Sequence, residues 1–136
     1  MIVVDTNLIG ALFLQSTWSE QAEQALMKDT QWVAPLLWRS ELCSVLTKYI
    51  RKEMVSLGDA QEILEKAMEL MQDGEYQVNV LQVIGLAVKS SCSAYDCEFV
   101  ALAQALGVRL VTLDQQILSQ FPALASSLED FVATPQ

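Results

Sequence analysis

The chain has 136 residues and a formal net charge of −9, with 52% hydrophobic and 18% charged residues. That length fits one domain around one core, residues 1–136, and that composition excludes a disordered chain. No apolar run approaches the ~20 residues needed to span a bilayer, and Cys43, Cys92 and Cys97, odd in number and without CxxC spacing, fit neither a disulfide framework nor a zinc site and read as reduced, buried or half-buried thiols.

Ile2-Val3-Val4 is a short apolar run ending in Asp5 and reads as a buried strand. No basic stretch precedes it, so it does not read as a signal peptide, and the cytoplasm is the expected location. Residues 6–14 and about 17–29 read as helices. Trp32-Val33-Ala34 is a strand candidate, with Pro35 placed at the start of the next helix. That helix, about 36–53, is long and amphipathic. Ser56 and Asp59 mark the start of another, running to Asp73-Gly74, where glycine can cap it.

Tyr76 to Val80 is the third strand candidate, followed by a helix over 82–91. Ser93 with Asp96 opens a further helix, which Gly107 ends. Arg109 to Thr112 is a β run followed by Asp114, and a last strand is expected near Phe131-Val132. Strands alternating with helices imply a three-layer α/β/α fold around a mainly parallel sheet of four to five short strands. In such sheets function collects beyond the carboxyl ends of the strands, which singles out Asp5, Asp114 and, at the start of the intervening helix, Asp96.

Histidine is absent, which excludes His-based acid/base catalysis, Ser-His-Asp and Cys-His nucleophiles, and His-ligated metals. Carboxylates and a hard metal remain as tools. Taken singly, each acid has a plainer account. Asp5 and Asp114 can cap the helices that follow them. Asp96 can belong to a capping box begun by Ser93. Glu41 can be a solvated helix residue or pair with Arg39. Clustered together without compensating charge, four carboxylates raise each other's pKa and call for a cation. An all-oxygen set selects Mg²⁺ or Mn²⁺.

Val3-Val4-Asp5-Thr6-Asn7, Ser40-Glu41-Leu42, Tyr95-Asp96-Cys97-Glu98-Phe99-Val100-Ala101-Leu102-Ala103 and Leu110-Val111-Thr112-Leu113-Asp114, in that order and spacing, resemble the PIN-domain pattern over essentially the whole chain. Length and architecture lie nearest the VapC-type toxins of toxin–antitoxin pairs. The resemblance implies a Mg²⁺- or Mn²⁺-dependent endoribonuclease with Asp5, Glu41, Asp96 and Asp114 as its acidic quartet. Asp5 and Asp96 are then the main metal ligands, and Asp114 with Glu41 holds waters or a second ion. Thr112 matches the hydroxyl residue two places before the last acid, and Thr6 and Asn7 match polar residues supporting the first. The resemblance also implies a homodimer silenced by a small antitoxin. Cys97, where alanine is common, and Gln115-Gln116, where a charged residue is common, depart from the pattern without removing a ligand.

An acidic chain argues at first against RNA. The charge is unevenly spread, however: residues 53–75 carry seven acids against Lys66 alone, whereas Arg39, Lys48, Arg51 and Lys52 sit together. Lys48, Arg51 and Lys52 are candidates for gripping an RNA backbone, or are simply solvated. Trp38 offers a stacking surface, or belongs to the core. A receiver domain fits poorly, because Thr6 rather than an acid follows Asp5 and no lysine follows Thr112. The alternatives are an RNA-processing nuclease without an antitoxin and a catalytically silent binding module.

Overall fold

Ile2-Val3-Val4 forms strand β1 (Ile2–Val4), and all three side chains are buried. An apolar strand of this kind is stable only between partners on both edges and cover on both faces. The computed structural model describes residues 1–135 and supplies both. After β1 the chain runs through α1 (Thr6–Phe13), α2 (Ser19–Lys28), β2 (Trp32–Pro35), α3 (Trp38–Arg51), α4 (Leu57–Met71) and β3 (Glu75–Tyr76). It continues through α5 (Val80–Val88), α6 (Ala94–Leu106), β4 (Leu110–Thr112), α7 (Gln115–Gln120), β5 (Ala125–Ser127) and α8 (Leu128–Ala133).

The sheet has five parallel strands in the order β3-β2-β1-β4-β5. β2 and β3 are laid down on one side of β1, and the chain then returns to place β4 on its other side. The topological switch point therefore lies between β1 and β4, where Val3 pairs with Leu110 and Val4 with Val111. A crevice beyond the strand ends opens at such a point. Helix α6 packs against β1, β2 and β4 and carries α5, while α1 packs on α2, α3 and α4. Among the described residues no helix is long and apolar enough to cross a membrane.

Local chemistry fixes the helix that presents Asp96. Ser93 Oγ accepts the Asp96 N–H at 3.1 Å and caps α6. Cys92 just before the cap and Cys97 one turn into the helix are both buried, at the two positions that staple a helix start. Gly107 ends α6 in the left-handed region, at φ +66°, where a side chain would be strained.

Several expectations change. Pro35 is the last residue of β2 rather than the first of α3, and it pairs with Tyr76. Ala34 and Leu36 donate toward β3, so the proline nitrogen faces the β1 side, where pairing has already ended. Gly74 is not a left-handed cap: it is needed because a Cβ there would stand 2.2 Å from the Trp32 carbonyl oxygen. β3 holds only Glu75 and Tyr76, because the Asn79 carboxamide caps α5 and starts it at Val80. The last strand is Ala125–Ser127, and Phe131-Val132 lies in α8, which Ser127 caps. Cys43 is exposed, whereas Cys92 and Cys97 are buried.

Candidate functional site

Asp5 follows β1 and caps α1. Its Oδ1 accepts the Leu8 N–H at 2.9 Å, and its Oδ2 accepts the Leu113 N–H at 3.0 Å and the Thr112 hydroxyl. The residue is 7% exposed. Burial pushes its carboxyl above the usual range, the Thr112, Leu8 and Leu113 donors pull it back, and the charge of Asp114 adds to the rise. The same Thr112 hydroxyl accepts the Asp114 N–H at 3.0 Å. Asp114 in turn caps α7, its Oδ1 accepting the Gln116 and Ile117 N–H groups at 2.8 and 3.1 Å.

Glu41 lies in the first turn of α3, and its Oε1 accepts the Thr6 hydroxyl at 2.7 Å. Burial is the first cause that raises its carboxyl, opposed by the Thr6 hydrogen bond and reinforced by the charges of Asp96, Asp5 and Glu98. Arg39 does not pair with it. The guanidinium instead makes two 2.6 Å hydrogen bonds to Glu75, and among the described residues Glu41 has no cation within ion-pairing distance.

These acids come together. Asp5, Glu41, Asp96 and Asp114 line one pocket of about 310 Å³, with Thr6, Asn7 and Lys48 on its walls. Each sits at the N-terminal end of a helix, α1, α3, α6 and α7 respectively. The positive ends of four helix dipoles therefore face a cluster of negative charge and offset part of its repulsion. For Asp5 and Glu41 burial is the largest cause of the rise, and repulsion from neighbouring acids adds less to it.

The polar supports are distributed differently from the expectation. Thr6 holds Glu41 rather than Asp5, and Asp5 is held by Thr112. Asn7 is exposed on the pocket rim. Arg51 and Lys52 are exposed at the far end of α3 and do not line the pocket, whereas Lys48 does. Among the described residues no acid stands within ion-pairing distance of these three cations. Trp38 is fully buried and donates to Glu75 at 2.9 Å, so it offers no surface for stacking. Ser44, Phe99 and Glu98 belong to the site's surroundings and were not singled out from the sequence. Ser44 could have been, since residues 41, 44 and 48 share one face of a helix.

A profile of the PIN domain family matches residues 2–123. The chain belongs to the PIN-domain family. It is 32% identical over 128 residues to Ribonuclease VapC3 of Pyrobaculum aerophilum, covering 92% of this chain and 98% of that one. To Ribonuclease VapC9 of Mycobacterium tuberculosis it is 31% identical over 122 residues, covering 86% and 88%. The crystal structure of PAE2754 from Pyrobaculum aerophilum superposes with a TM-score of 0.77 at 20% identity, over 96% of this chain and 92% of that one. A toxin-antitoxin complex from Klebsiella pneumoniae superposes at 0.70 and 17% identity, over 94% and 98%. At those identities the two structures share the fold.

The pocket of this PIN domain fits a hard divalent cation by its donor chemistry. Its anionic donors are carboxylate oxygens, and Glu41 Oε2, Asp114 Oδ2 and both Asp96 oxygens carry no hydrogen bond among the described residues. Among the described residues no three acids or cysteines converge as a closed ligand cage. A closed cage suits Zn²⁺ or Ca²⁺, while Mg²⁺ takes one or two carboxylates and completes its shell with water and phosphate. An all-oxygen donor set of this kind suits a hard cation such as Mg²⁺ or Mn²⁺.

Proposed function

We propose that this PIN domain is a Mg²⁺- or Mn²⁺-dependent endoribonuclease, the toxin of a toxin–antitoxin pair. The observation that carries the reading is the junction of four carboxylates from four separate segments at the switch point of the sheet. The ribonuclease names of its relatives and the toxin-antitoxin complex among its structural neighbours point the same way.

Asp5 and Asp96 would hold the metal, with Asp114 beside them. Bound there, it would activate water and neutralise charge developing on the phosphate. The chain's own residues do the rest. Three donors fix Asp5, so its carboxylate cannot turn away. Thr6 fixes Glu41 Oε1 and leaves Oε2 to take a proton from the attacking water, as a carboxylate with a raised pKa can near neutrality. Water oxygen bonds to phosphorus, the bond to the 3′-oxygen breaks, and the departing 3′-oxygen takes up a proton from solvent water. The products carry a 5′-phosphate and a 3′-hydroxyl. Lys48 stands on the pocket wall as a contact for the RNA backbone.

The antitoxin partner would present an arginine or a basic segment to the carboxylates. The homodimer would bury α5, where Val80, Leu81, Ile84 and Val88 form a stripe 61% to 80% exposed. The decisive test is cleavage of single-stranded RNA with Mg²⁺ or Mn²⁺ by the wild type, Asp5→Asn and Asp96→Asn. Both variants should lose cleavage, and EDTA should abolish it in the wild type. Undiminished cutting by both variants would sink the site, and activity indifferent to EDTA would sink the metal.

A further inference from the structure

The geometry points to a second subsite on this face, an uncharged cavity that receives one nucleobase of the strand being cut; the inference rests on the ribonuclease reading. The cavity, of about 250 Å³, lies between α1, the segment around Ser16 and Trp18, and α3. It shares Thr6, Asn7 and Val45 with the acid pocket. The two linings are chemically opposite. Four carboxylates and Lys48 line one, whereas among the described residues no charged side chain lines the other. A strand whose phosphate sits among the carboxylates carries its bases covalently alongside, and the adjoining space accepts a neutral heterocycle without meeting charge.

Three observations fit a base in particular. Trp18 is 42% exposed at the cavity, while the other two tryptophans, Trp32 and Trp38, are 3% and 0% exposed. Its segment is held in place: the Ser16 N–H donates to Ser19 Oγ at 3.0 Å, the Ser19 hydroxyl to the Leu14 carbonyl at 3.1 Å, and the Trp18 N–H to Ser16 Oγ at 3.2 Å. The anchored segment presents the exposed Trp18 indole at the cavity as a stacking surface, and Tyr49 adds a second aromatic.

The third observation is Gly10. It sits in the middle of α1, where glycine is disfavoured, and its backbone is not left-handed. An added Cβ would meet only Leu42 Cδ1 among the described residues, at an ordinary 3.7 Å. Neither conformation nor packing requires glycine there. What the missing side chain leaves is room in the cavity.

The test compares a short mixed-sequence single-stranded RNA with an abasic ribose-phosphate strand of the same length, using the wild type, Trp18→Ala and Gly10→Leu. One lost stacking contact corresponds to about a tenfold change in affinity. Each variant should raise KM for the RNA by about that factor, with kcat nearly unchanged, and leave KM for the abasic strand where it was. Thermal unfolding checks both variants, and Trp18→Ala, at an exposed side chain, stands if Gly10→Leu fails to fold. Wild-type KM for RNA in the folded variants overturns the base subsite and leaves the cavity to an apolar side chain of a protein partner. If the wild type cuts neither strand with either metal, the ribonuclease reading fails separately. Fluorescence then decides the cavity alone: quenching by the RNA, absent with the abasic strand and in Trp18→Ala, supports it, and no quenching overturns it.

Discussion

The Thr112 hydroxyl donates to Asp5 and accepts from the Asp114 N–H, so one oxygen joins the carboxyl ends of β1 and β4. Both partners are placed by this one atom. Thr112→Val removes it and keeps the shape, leaving a part-buried amide and a buried carboxylate each short of a partner. Urea denaturation should register a loss of about 1–3 kcal/mol, with Thr112→Ser close to the wild type. Equal stability of the valine and serine variants would contradict the bridge.

Glu41 gives a pH signature in the metal-free protein. Burial holds its carboxyl above the ordinary range, so the folded chain binds a proton that the unfolded chain has released. Stability from this group therefore falls as pH rises from the ordinary value of 4.5 through the raised one. Glu41→Gln keeps the Thr6 hydrogen bond and removes the penalty. Its melting temperature should exceed the wild type's at about pH 8 by a few degrees and converge with it below about pH 4.

Divalent metal should reverse that ranking. A ligand present at about a hundred times its Kd adds about 2.7 kcal/mol to the folded state. Mn²⁺ should accordingly raise the wild type's melting temperature by several degrees and leave Asp96→Asn unmoved. A metal response of equal size in Asp96→Asn would remove Asp96 from the ligand set.

Glu75 behaves in the opposite sense. The Arg39 hydrogen bond, aided by Trp38, holds its carboxyl below the usual range. The stability it contributes is present above the ordinary carboxylate range and disappears as pH falls through its lowered value. Glu75→Ala also strands the indole N–H of fully buried Trp38, which should cost about 1–3 kcal/mol by urea denaturation. Arg39→Ala should cost clearly less, because its side chain is solvated and the indole keeps its acceptor.

The turn after α3 carries a correctable strain. Glu53 adopts φ +58°, with its N–H donating to Ile50 and the Met54 N–H to Tyr49. That pattern is a Schellman cap, at a position that favours glycine. Glu53→Gly should stabilise the protein by about 1 kcal/mol, read as a higher denaturation midpoint.

Much of this architecture is legible in the residues. Apolar runs ending in acids locate β1 and β4, and Ser56 and Ser93 with their acids three places on locate α4 and α6, because those signals act within a single turn. What escaped depends on distant partners. β3 is short because Asn79 starts a helix two residues after Val78, and it exists at all because Gly74 lets the chain approach Trp32. Phe131-Val132 has strand-like composition but lies behind the Ser127 cap, which wins locally. That Thr6 serves Glu41, and that Arg39 leaves it for Glu75, are tertiary choices between elements 35 and 36 residues apart, beyond any spacing rule.

The long reach of the Asp5–Thr112 contact, 107 residues along the chain, bears on biosynthesis. On the ribosome, β1 emerges before β4 and waits for it. Until then Asp5 lacks its hydroxyl and Leu113 donors, and the fourth acid does not yet exist. A chain that stops short of β4 thus holds no assembled pocket, and whatever chemistry the pocket performs is withheld until β4 and Asp114 have been made.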